Sequence, residues 1–301
     1  MFCLSIDPEY FKVLSGKKTI LNDLDSGWIP KWAEKQEEDK EVVKEQAVTL
    51  LESNRQKLVD QQELFWANNS YSMLIILQGM DAAGKDGTIT HVMSGLNPQG
   101  CQVTSFKTPS AEELEHDFLW RYTKALPERG SIGIFNRSYY EDVLIVKVRP
   151  EILNMQKLPP QDKGKHFWAQ RYEDINMFER HLVQNDTIVL KFFLNISKKE
   201  QKQRLLERLE NPNKEWEFSL TDLSERAKWA DYMEAYEDML NKTSTEWAPW
   251  YIIPADRKWV AHLSISDIIL SQMKELDLKY PVLSKEQQAA LEKAKAQLEK
   301  E

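Results

Sequence analysis

The densest chemistry in the chain lies between Gly79 and Gly87, in the run Gly79-Met80-Asp81-Ala82-Ala83-Gly84-Lys85-Asp86-Gly87. It has the GxxxxGK spacing of a phosphate loop. Glycines let the backbone turn tightly enough for successive N–H groups to point at phosphate oxygens. The N-terminal end of a following helix adds positive potential, and Lys85 adds a mobile full charge. Gly79, Ala82, Ala83, Gly84, Lys85, Asp86 and Gly87 are therefore the candidate cradle for phosphate. A phosphate loop usually carries Ser or Thr after its lysine to hold Mg²⁺; here Asp86 stands there. Asp81 lies inside the loop, where a carboxylate repels phosphate unless a cation or proton sits between them. Asp81 is accordingly read as a metal ligand that also orients the attacking oxygen.

Two further groups carry charge in useful patterns. Ile132-Gly133-Ile134-Phe135-Asn136-Arg137-Ser138-Tyr139-Tyr140-Glu141-Asp142 is an apolar run that ends in polar groups. Arg137 can clamp a phosphate with two donors. Glu141 and Asp142 can hold metal or contact an acceptor. The second group is Ile196–Arg208, where Arg204 and Arg208 share a helix face, as do Lys198 and Lys202. Such rows suit a long polyanion better than one compact phosphate, although a surface helix pairing with its own Glu200 and Glu207 is the plain alternative. Lys107 is a further candidate phosphate contact.

These groups need elements to position them. Met73–Leu77 is a continuous apolar run, as expected of a strand buried on both faces, and Thr88–Met93 begins a helix after the loop. Gln102–Phe106, Ser131–Phe135, Thr187–Leu194 and Trp250–Ile253 read as further strands. Helical patterns fall at 37–67, 111–126, 168–185, 197–210 and 221–243. Strand–helix alternation predicts an α/β fold with a parallel sheet flanked by helices. In such sheets ligands bind beyond the strand C-terminal ends, which would bring 136–142 beside the loop. The expected organisation is an arm over 1–36, docked through Trp28 and Trp32, a phosphate-loop domain over 37–283, and a solvated helical tail over 284–301. A lid is expected near 147–175, where Arg149-Pro150, Pro159-Pro160 and Lys163-Gly164-Lys165 suggest a mobile loop.

The chain has 301 residues, 42% hydrophobic and 29% charged, with a formal net charge of −8. That balance is an ordinary globular one; the acidic sign disfavours a general nucleic-acid binder but allows a local basic groove. No apolar run is long enough for a membrane span, and the N-terminus is too short and polar for a secretory leader. Cys3 and Cys101 have no metal-binding spacing, which fits a reducing cytoplasm. The scattered histidines offer no obligatory nucleophile.

Taken together, GMDAAGKDGTI, FNRSYYEDV, ISKKEQKQRLLER and TEWAPWYIIPADRKW, in this order, resemble the family-2 polyphosphate kinases from about residue 70 to 270. The resemblance implies a thymidylate-kinase-like fold with a helical lid, and Mg²⁺-dependent transfer between inorganic polyphosphate and nucleotides, with Mn²⁺ as an alternative metal. It places the family's loop acid at Asp81, its lysine at Lys85, its arginine at Arg137 and its lid-side arginine pair at Arg204 and Arg208. Many members carry Asp-Arg-Ser-Trp-Tyr-Asn-Arg where this chain has Asn136-Arg137-Ser138-Tyr139-Tyr140-Glu141-Asp142. Asn136 thus replaces an acid expected to bind metal, whose shell must be completed by water or by Asp142. The Tyr-Tyr-Glu-Asp form is similar to the class III members, associated with both AMP and ADP as acceptors; Asn136, Glu141 and Asp142 are then the acceptor-side candidates. The implied partners are polyphosphate, AMP, ADP, ATP and guanine nucleotides, with neither nucleic acid nor membrane, in a homo-oligomer. The rival readings are an ATP-dependent nucleoside monophosphate kinase, a non-catalytic nucleotide-binding protein and, more remotely, a nucleic-acid translocase.

Overall fold

The computed structural model describes residues 6–34, 40–160 and 163–301. Five parallel strands run β1 (Ser72–Gln78), β2 (Cys101–Ser105), β3 (Ile132–Asn136), β4 (Thr187–Asn195) and β5 (Trp250–Pro254). They lie side by side in the order β2-β3-β1-β4-β5. Every residue of β1, β3 and β5 is buried. Their runs of Ile, Leu, Phe and Trp lack alternation because helices cover both faces. In the register, Ile75 of β1 faces Ile134 of β3 and Leu190 of β4. All strands point the same way, so the turns after β1, β3, β4 and β5 emerge at one edge of the sheet.

The elements match the expected alternation, with four differences. The pattern at 111–126 forms only a turn at Glu113–Glu115 and a short helix at Trp120–Thr123. Ser110 and Glu113 bond each other's backbone N–H, and the Asp117 side chain accepts from Leu119 N–H; such local bonds compete with helix propagation. The pattern at 221–243 divides into Leu220–Ala227 and Trp229–Thr243, separated at Lys228. The region expected as a mobile lid, 147–175, is largely helical where described: Ile145–Val148, Pro150–Met155 and then Lys165–Gln184. The last helix packs on β4, with Tyr172, Ile175 and Leu182 in the main core, while Phe167 in its first turn packs with Val146 and Leu153. A helix at Lys258–Glu275 has no counterpart in the sequence reading. It is apolar around most of its circumference, lies almost wholly buried and packs against the long helix Lys40–Asn68. Asn54 of the long helix donates to Ser266 Oγ (2.9 Å) and Asp267 Oδ1 (2.8 Å), which fixes that contact. Residues 37–39, at the start of the expected long helix, lie outside the described residues.

The N-terminal arm docks on the body mainly through its backbone. Lys12 forms an antiparallel bridge with Tyr251, and Val13 N–H donates to the Trp250 carbonyl at 2.8 Å. The arm therefore covers the outer edge of β5, an edge that would otherwise offer unpaired backbone groups. Trp28 packs on Tyr10 and Phe11, and Trp32 on Trp259. The tail forms the helix Lys285–Leu298, which begins with a capping box between Ser284 and Gln287 and is exposed throughout.

One polar feature sits inside the core. Lys191, in the middle of β4 and fully buried, donates to Glu179 Oε2 (2.6 Å), the Tyr140 hydroxyl (3.0 Å) and the Thr243 carbonyl (2.7 Å). Glu179 Oε1 accepts from Tyr139 (2.8 Å) and Tyr140 (2.6 Å). Burial lowers the Lys191 pKa and raises those of both tyrosines. The network joins β4, the helix Lys165–Gln184 and the turn after β3. Removing one member leaves a buried charge without its partner. Lys191→Met is therefore expected to reduce the unfolding free energy by about 3–5 kcal/mol. Adding Glu179→Gln should recover part of that loss, as read by urea denaturation of both variants.

Candidate active site

The phosphate loop follows β1 directly. Gly79 has φ +154°, and a Cβ there would lie 3.0 Å from the Leu194 carbonyl oxygen and 3.1 Å from Leu194 Cβ, so a side chain would be both strained and crowded. Gly84, at φ +108°, caps the helix Lys85–Val92. Ala82 takes the left-handed region at φ +62°, a conformation that costs free energy for a residue with a Cβ. Lys85 is buried and curls back over the loop, donating to the carbonyls of Gly79 (2.6 Å) and Met80 (3.2 Å). Its pKa is lowered, first by burial and then by repulsion from Arg137, while Asp81, Glu141 and Asp86 oppose the shift.

The turn after β3 completes the charge cluster. Arg137 adopts φ +64° and donates to Asp81 Oδ1 at 2.7 Å. Both side chains are partly exposed, so this ion pair contributes little to stability and an incoming anion can replace it. Glu141 is the main cause of a raised Arg137 pKa, and burial raises the Glu141 pKa against the pull of Arg137 and Lys85. With the Gln78 amide assigned from its network, its nitrogen donates to Glu141 Oε1 (2.9 Å) and its oxygen accepts from Ser138 N–H (3.1 Å). Asn136 Nδ2 donates to Asp86 Oδ1 at 2.6 Å. Asp81, Lys85, Asp86, Asn136, Arg137 and Glu141 thus gather at the strand C-terminal ends.

Asp142 turns elsewhere. Its carboxylate accepts from Gln156 (2.7 Å), Arg171 (3.2 Å) and Tyr122 (3.4 Å), and burial pushes its pKa up to about 6. These partners tie down the fold behind the site, which leaves Asp142 poorly placed to complete a metal shell or meet an acceptor.

Arg204 departs from the expected direct phosphate contact. It is buried, and its guanidinium donates to the carbonyls of Ala82 and Ala83 (both 3.1 Å), Ala255 (2.6 Å) and Asp256 (3.1 Å), and to Glu200 Oε1 (2.8 Å). All five N–H groups are engaged. Arg204 therefore clamps the loop from behind instead of facing an anion. Arg208 is half-buried, with Asp222 at 3.9 Å. Lys198 and Lys202 are exposed on the same helix, and Lys107 is exposed just beyond β2.

Several residues at the site went unnoticed in the sequence. Gln201 Nε2 donates to the Asp81 carbonyl at 3.0 Å and Gln201 Oε1 accepts from Arg226 at 2.7 Å. Its spacing from Arg204 and Arg208, three and seven residues, was the signal that could have found it. Tyr232 and Tyr236 lie one turn apart on the helix Trp229–Thr243; burial raises both pKa values, followed at Tyr232 by Glu225, which accepts from the Tyr232 hydroxyl, and at Tyr236 by Glu141. Asp222 is raised mainly by burial and next by Asp81. The segment Leu220–Ala227 is linked to the loop through Arg226 and Gln201 and is held by Arg149 to Glu225 at 2.7 Å.

Among the described residues no group of three or more His, Cys, Asp or Glu side chains converges as a metal cage. Mg²⁺ does not require one: it is held by one or two carboxylates together with substrate phosphates and water. A partly exposed Asp81 beside the loop, with Glu141 across Arg137, is a donor set of that kind.

The sequence pattern of the family described as Polyphosphate kinase 2 matches residues 37–281. The chain belongs to this family. It is similar to an ADP-polyphosphate phosphotransferase of Rhodopseudomonas palustris, 50% identical over 279 residues, which span 92% of this chain and 93% of that one. An AMP/ADP-polyphosphate phosphotransferase of Meiothermus ruber is 46% identical over 236 residues, 78% of this chain and 83% of that one. The crystal structure of a polyphosphate kinase 2 from Arthrobacter aurescens superposes with a TM-score of 0.81 at 37% identity, covering 96% of this chain and 99% of that one. The parallel sheet and phosphate loop read from the sequence are thus set in a polyphosphate kinase 2 fold.

If Arg204 clamps the loop, Arg204→Lys should slacken it. A lysine has fewer donors and no planar fork. Amide hydrogen exchange at Ala82–Lys85 is expected to rise at least about tenfold, the equivalent of losing ~1.4 kcal/mol of local protection. Exchange in β1 should be unaltered.

Proposed function

We propose that this member of the polyphosphate kinase 2 family is a polyphosphate-dependent nucleotide kinase. It moves a phosphoryl group from inorganic polyphosphate to AMP and ADP, giving ADP and ATP, and runs the reverse reaction. The observation that carries the reading is the convergence of Lys85, Asp81, Arg137 and Glu141 on the loop formed by Gly79–Gly84.

The residues divide the work as follows. Loop N–H groups and Lys85 hold the phosphates that flank the scissile bond, and Arg137 leaves Asp81 to grip the transferred group. An oxygen of the nucleotide's terminal phosphate attacks the terminal phosphorus of the polymer. The bridging P–O bond breaks, and the leaving chain is one phosphate shorter. The attacking oxygen is already anionic, so no base need deprotonate it, and positioning with charge stabilisation accounts for most of the rate. No histidine nucleophile is required; His91, in the last turn of the loop helix, stacks on His262 with ring centroids 4.7 Å apart. Mg²⁺, with Mn²⁺ as substitute, would be held by Asp81, phosphate oxygens and water, and supplies further charge neutralisation on the phosphates. Arg208, with Lys107, Lys198 and Lys202 on the approaches, guides the polymer. Glu141 and Asn136 face the acceptor, and Asp142 positions that turn from behind. Tyr232 and Tyr236 wall the acceptor side.

Polyphosphate, and not ATP, is the donor in this reading. The helix after β4 offers exposed lysines beyond the loop, and Asp86 stands where an ATP-dependent loop carries a hydroxyl. Guanine nucleotides are included as acceptors, and a homo-oligomer in the cytoplasm is the setting proposed. No helix among the described residues is long and apolar enough to cross a membrane.

The deciding assay offers AMP or ADP with either polyphosphate or ATP and Mg²⁺, with products separated by chromatography. Product is expected with polyphosphate; product from AMP with ATP alone would support the monophosphate-kinase reading instead. Lys85→Ala and Asp81→Asn should each lower turnover by at least ~10², the scale of one principal electrostatic contact. Near-native rates in either variant would remove the site. Glu141→Asn is expected to reduce turnover on AMP more than on ADP, and equal losses would detach Glu141 from acceptor choice.

A further inference from the structure

A second cleft opens at the end of the sheet where β4 and β5 begin, opposite the phosphate loop. It lies between the helix Lys165–Gln184, the end of the helix Trp229–Thr243 and the loop before β5. Its volume is about 450 Å³, and Tyr172, Glu173, Asn176, Arg180, Lys242 and Trp247 line it. This is the size of a small-molecule site.

Its chemistry is specific. The Arg180 guanidinium lies over the Trp247 ring, 5.5 Å from the centroid, and has no carboxylate within ion-pair distance among the described residues. Lys242 Nζ lies 5.0 Å from the Tyr172 ring centroid and also pairs with Asp238 at 2.8 Å. Tyr172 is only 3% exposed, yet its hydroxyl has no hydrogen-bond partner. Asn176 Oδ1 is also buried and unpartnered, while its Nδ2 donates to the Lys242 carbonyl at 2.9 Å. Buried polar atoms without partners are rare in folded proteins, and each calls for an explanation. Both orphans belong to side chains that line the cleft and adjoin Lys242, whose Nζ lies over the Tyr172 ring and whose carbonyl takes the Asn176 amide.

We propose that this cleft is a second binding site for a nucleoside phosphate, separate from the transfer site. A nucleobase stacks on Trp247, and the phosphate takes Arg180 as a two-pronged donor, with Lys242 beside it. The Tyr172 hydroxyl donates to a ring or ribose acceptor, and Asn176 Oδ1 receives a ring or ribose donor. Glu173 at the rim repels additional negative charge, so a short phosphate group is favoured over a polymer. Polyphosphate, lacking a ring, would leave both orphans and the Trp247 face unused. None of the residues that line this cleft belongs to the transfer site, so the proposal stands independently of the reading of the loop.

The test is equilibrium dialysis of labelled ADP against the full chain, without polyphosphate. Two classes of site are expected. Arg180→Gln combined with Trp247→Leu should weaken one class at least about tenfold, since one charge-assisted contact and one ring stack are lost. Turnover at low nucleotide should be unchanged. Lys85→Ala should retain the class that the double variant loses. Arg180→Gln alone, at an exposed position, serves if the double variant fails to fold, as judged by circular dichroism. A single class abolished by Lys85→Ala, or two classes unchanged in the Arg180 variants, would overturn the proposal. So would a single class in wild type together with a fall in sedimenting mass in the double variant, which would assign this face to a contact between copies of the chain.

Discussion

A buried ammonium held by carbonyl oxygens alone is the interaction on which the rest of this site depends. Lys85 has left water, and burial lowers its pKa. Its direct partners are two neutral loop oxygens at 2.6 and 3.2 Å. The nearby carboxylates have other commitments: Asp81 to Arg137, Asp86 to Asn136, and Glu141 to Gln78. The ammonium thus carries a charge that its own surroundings only partly neutralise. A phosphate chain supplies what is missing without large rearrangement, which is how preorganised charge lowers a barrier. The −8 of the whole chain is no obstacle, because the field that matters is set within a few ångströms of the loop.

Holding such a site together falls to groups that never meet the substrate. Gly79 leaves room for the Leu194 backbone, and Arg204 binds the loop's outward carbonyls to those that follow β5. Behind the turn after β3, the Lys191–Glu179 pair fixes Tyr139 and Tyr140, while Arg171 and Gln156 fix Asp142. Between these anchors the chain must pass through Arg137 at positive φ. A buried ion pair is seldom the most stable filling for a core. Here it brings three elements to one point and so sets where Arg137 and Glu141 can lie.

The sheet was legible because each strand is a short apolar run between polar breaks, and the loop was legible because its glycine spacing is itself the mechanism. Site residues next to those signals, such as Asp81, Arg137 and Glu141, followed from the rule that ligands gather at strand C-terminal ends. The direction of a long side chain was not legible. Arg204 and Arg208 share a face in sequence, yet one turns inward to carbonyls and the other toward Asp222. Nothing local distinguishes an arginine that grips phosphate from one that grips backbone. The helix Lys258–Glu275 escaped for a different reason: an element buried nearly all round has no amphipathic period to detect. Trp247 and Arg180 are far apart in sequence, and only the packing of the helix Lys165–Gln184 before β5 brings them together.

The exchange of an acid for Asn136 is explained by its neighbour. Asn136 Nδ2 stands 2.6 Å from Asp86 Oδ1. Two carboxylates at that distance could not both ionise without a proton or a cation between them. With Asp86 after Lys85, an acid at 136 would make the fold of the loop depend on metal. The amide instead donates to Asp86, leaves a single negative charge at the pair, and draws that carboxylate away from the phosphate path. In the proposed reading Asp81 is then the loop carboxylate that exchanges Arg137 for a cation. On that reading the same substitution removes a fixed charge from the acceptor side of the site. A neutral residue at 136 thus lowers the electrostatic cost of bringing a second anion to the loop.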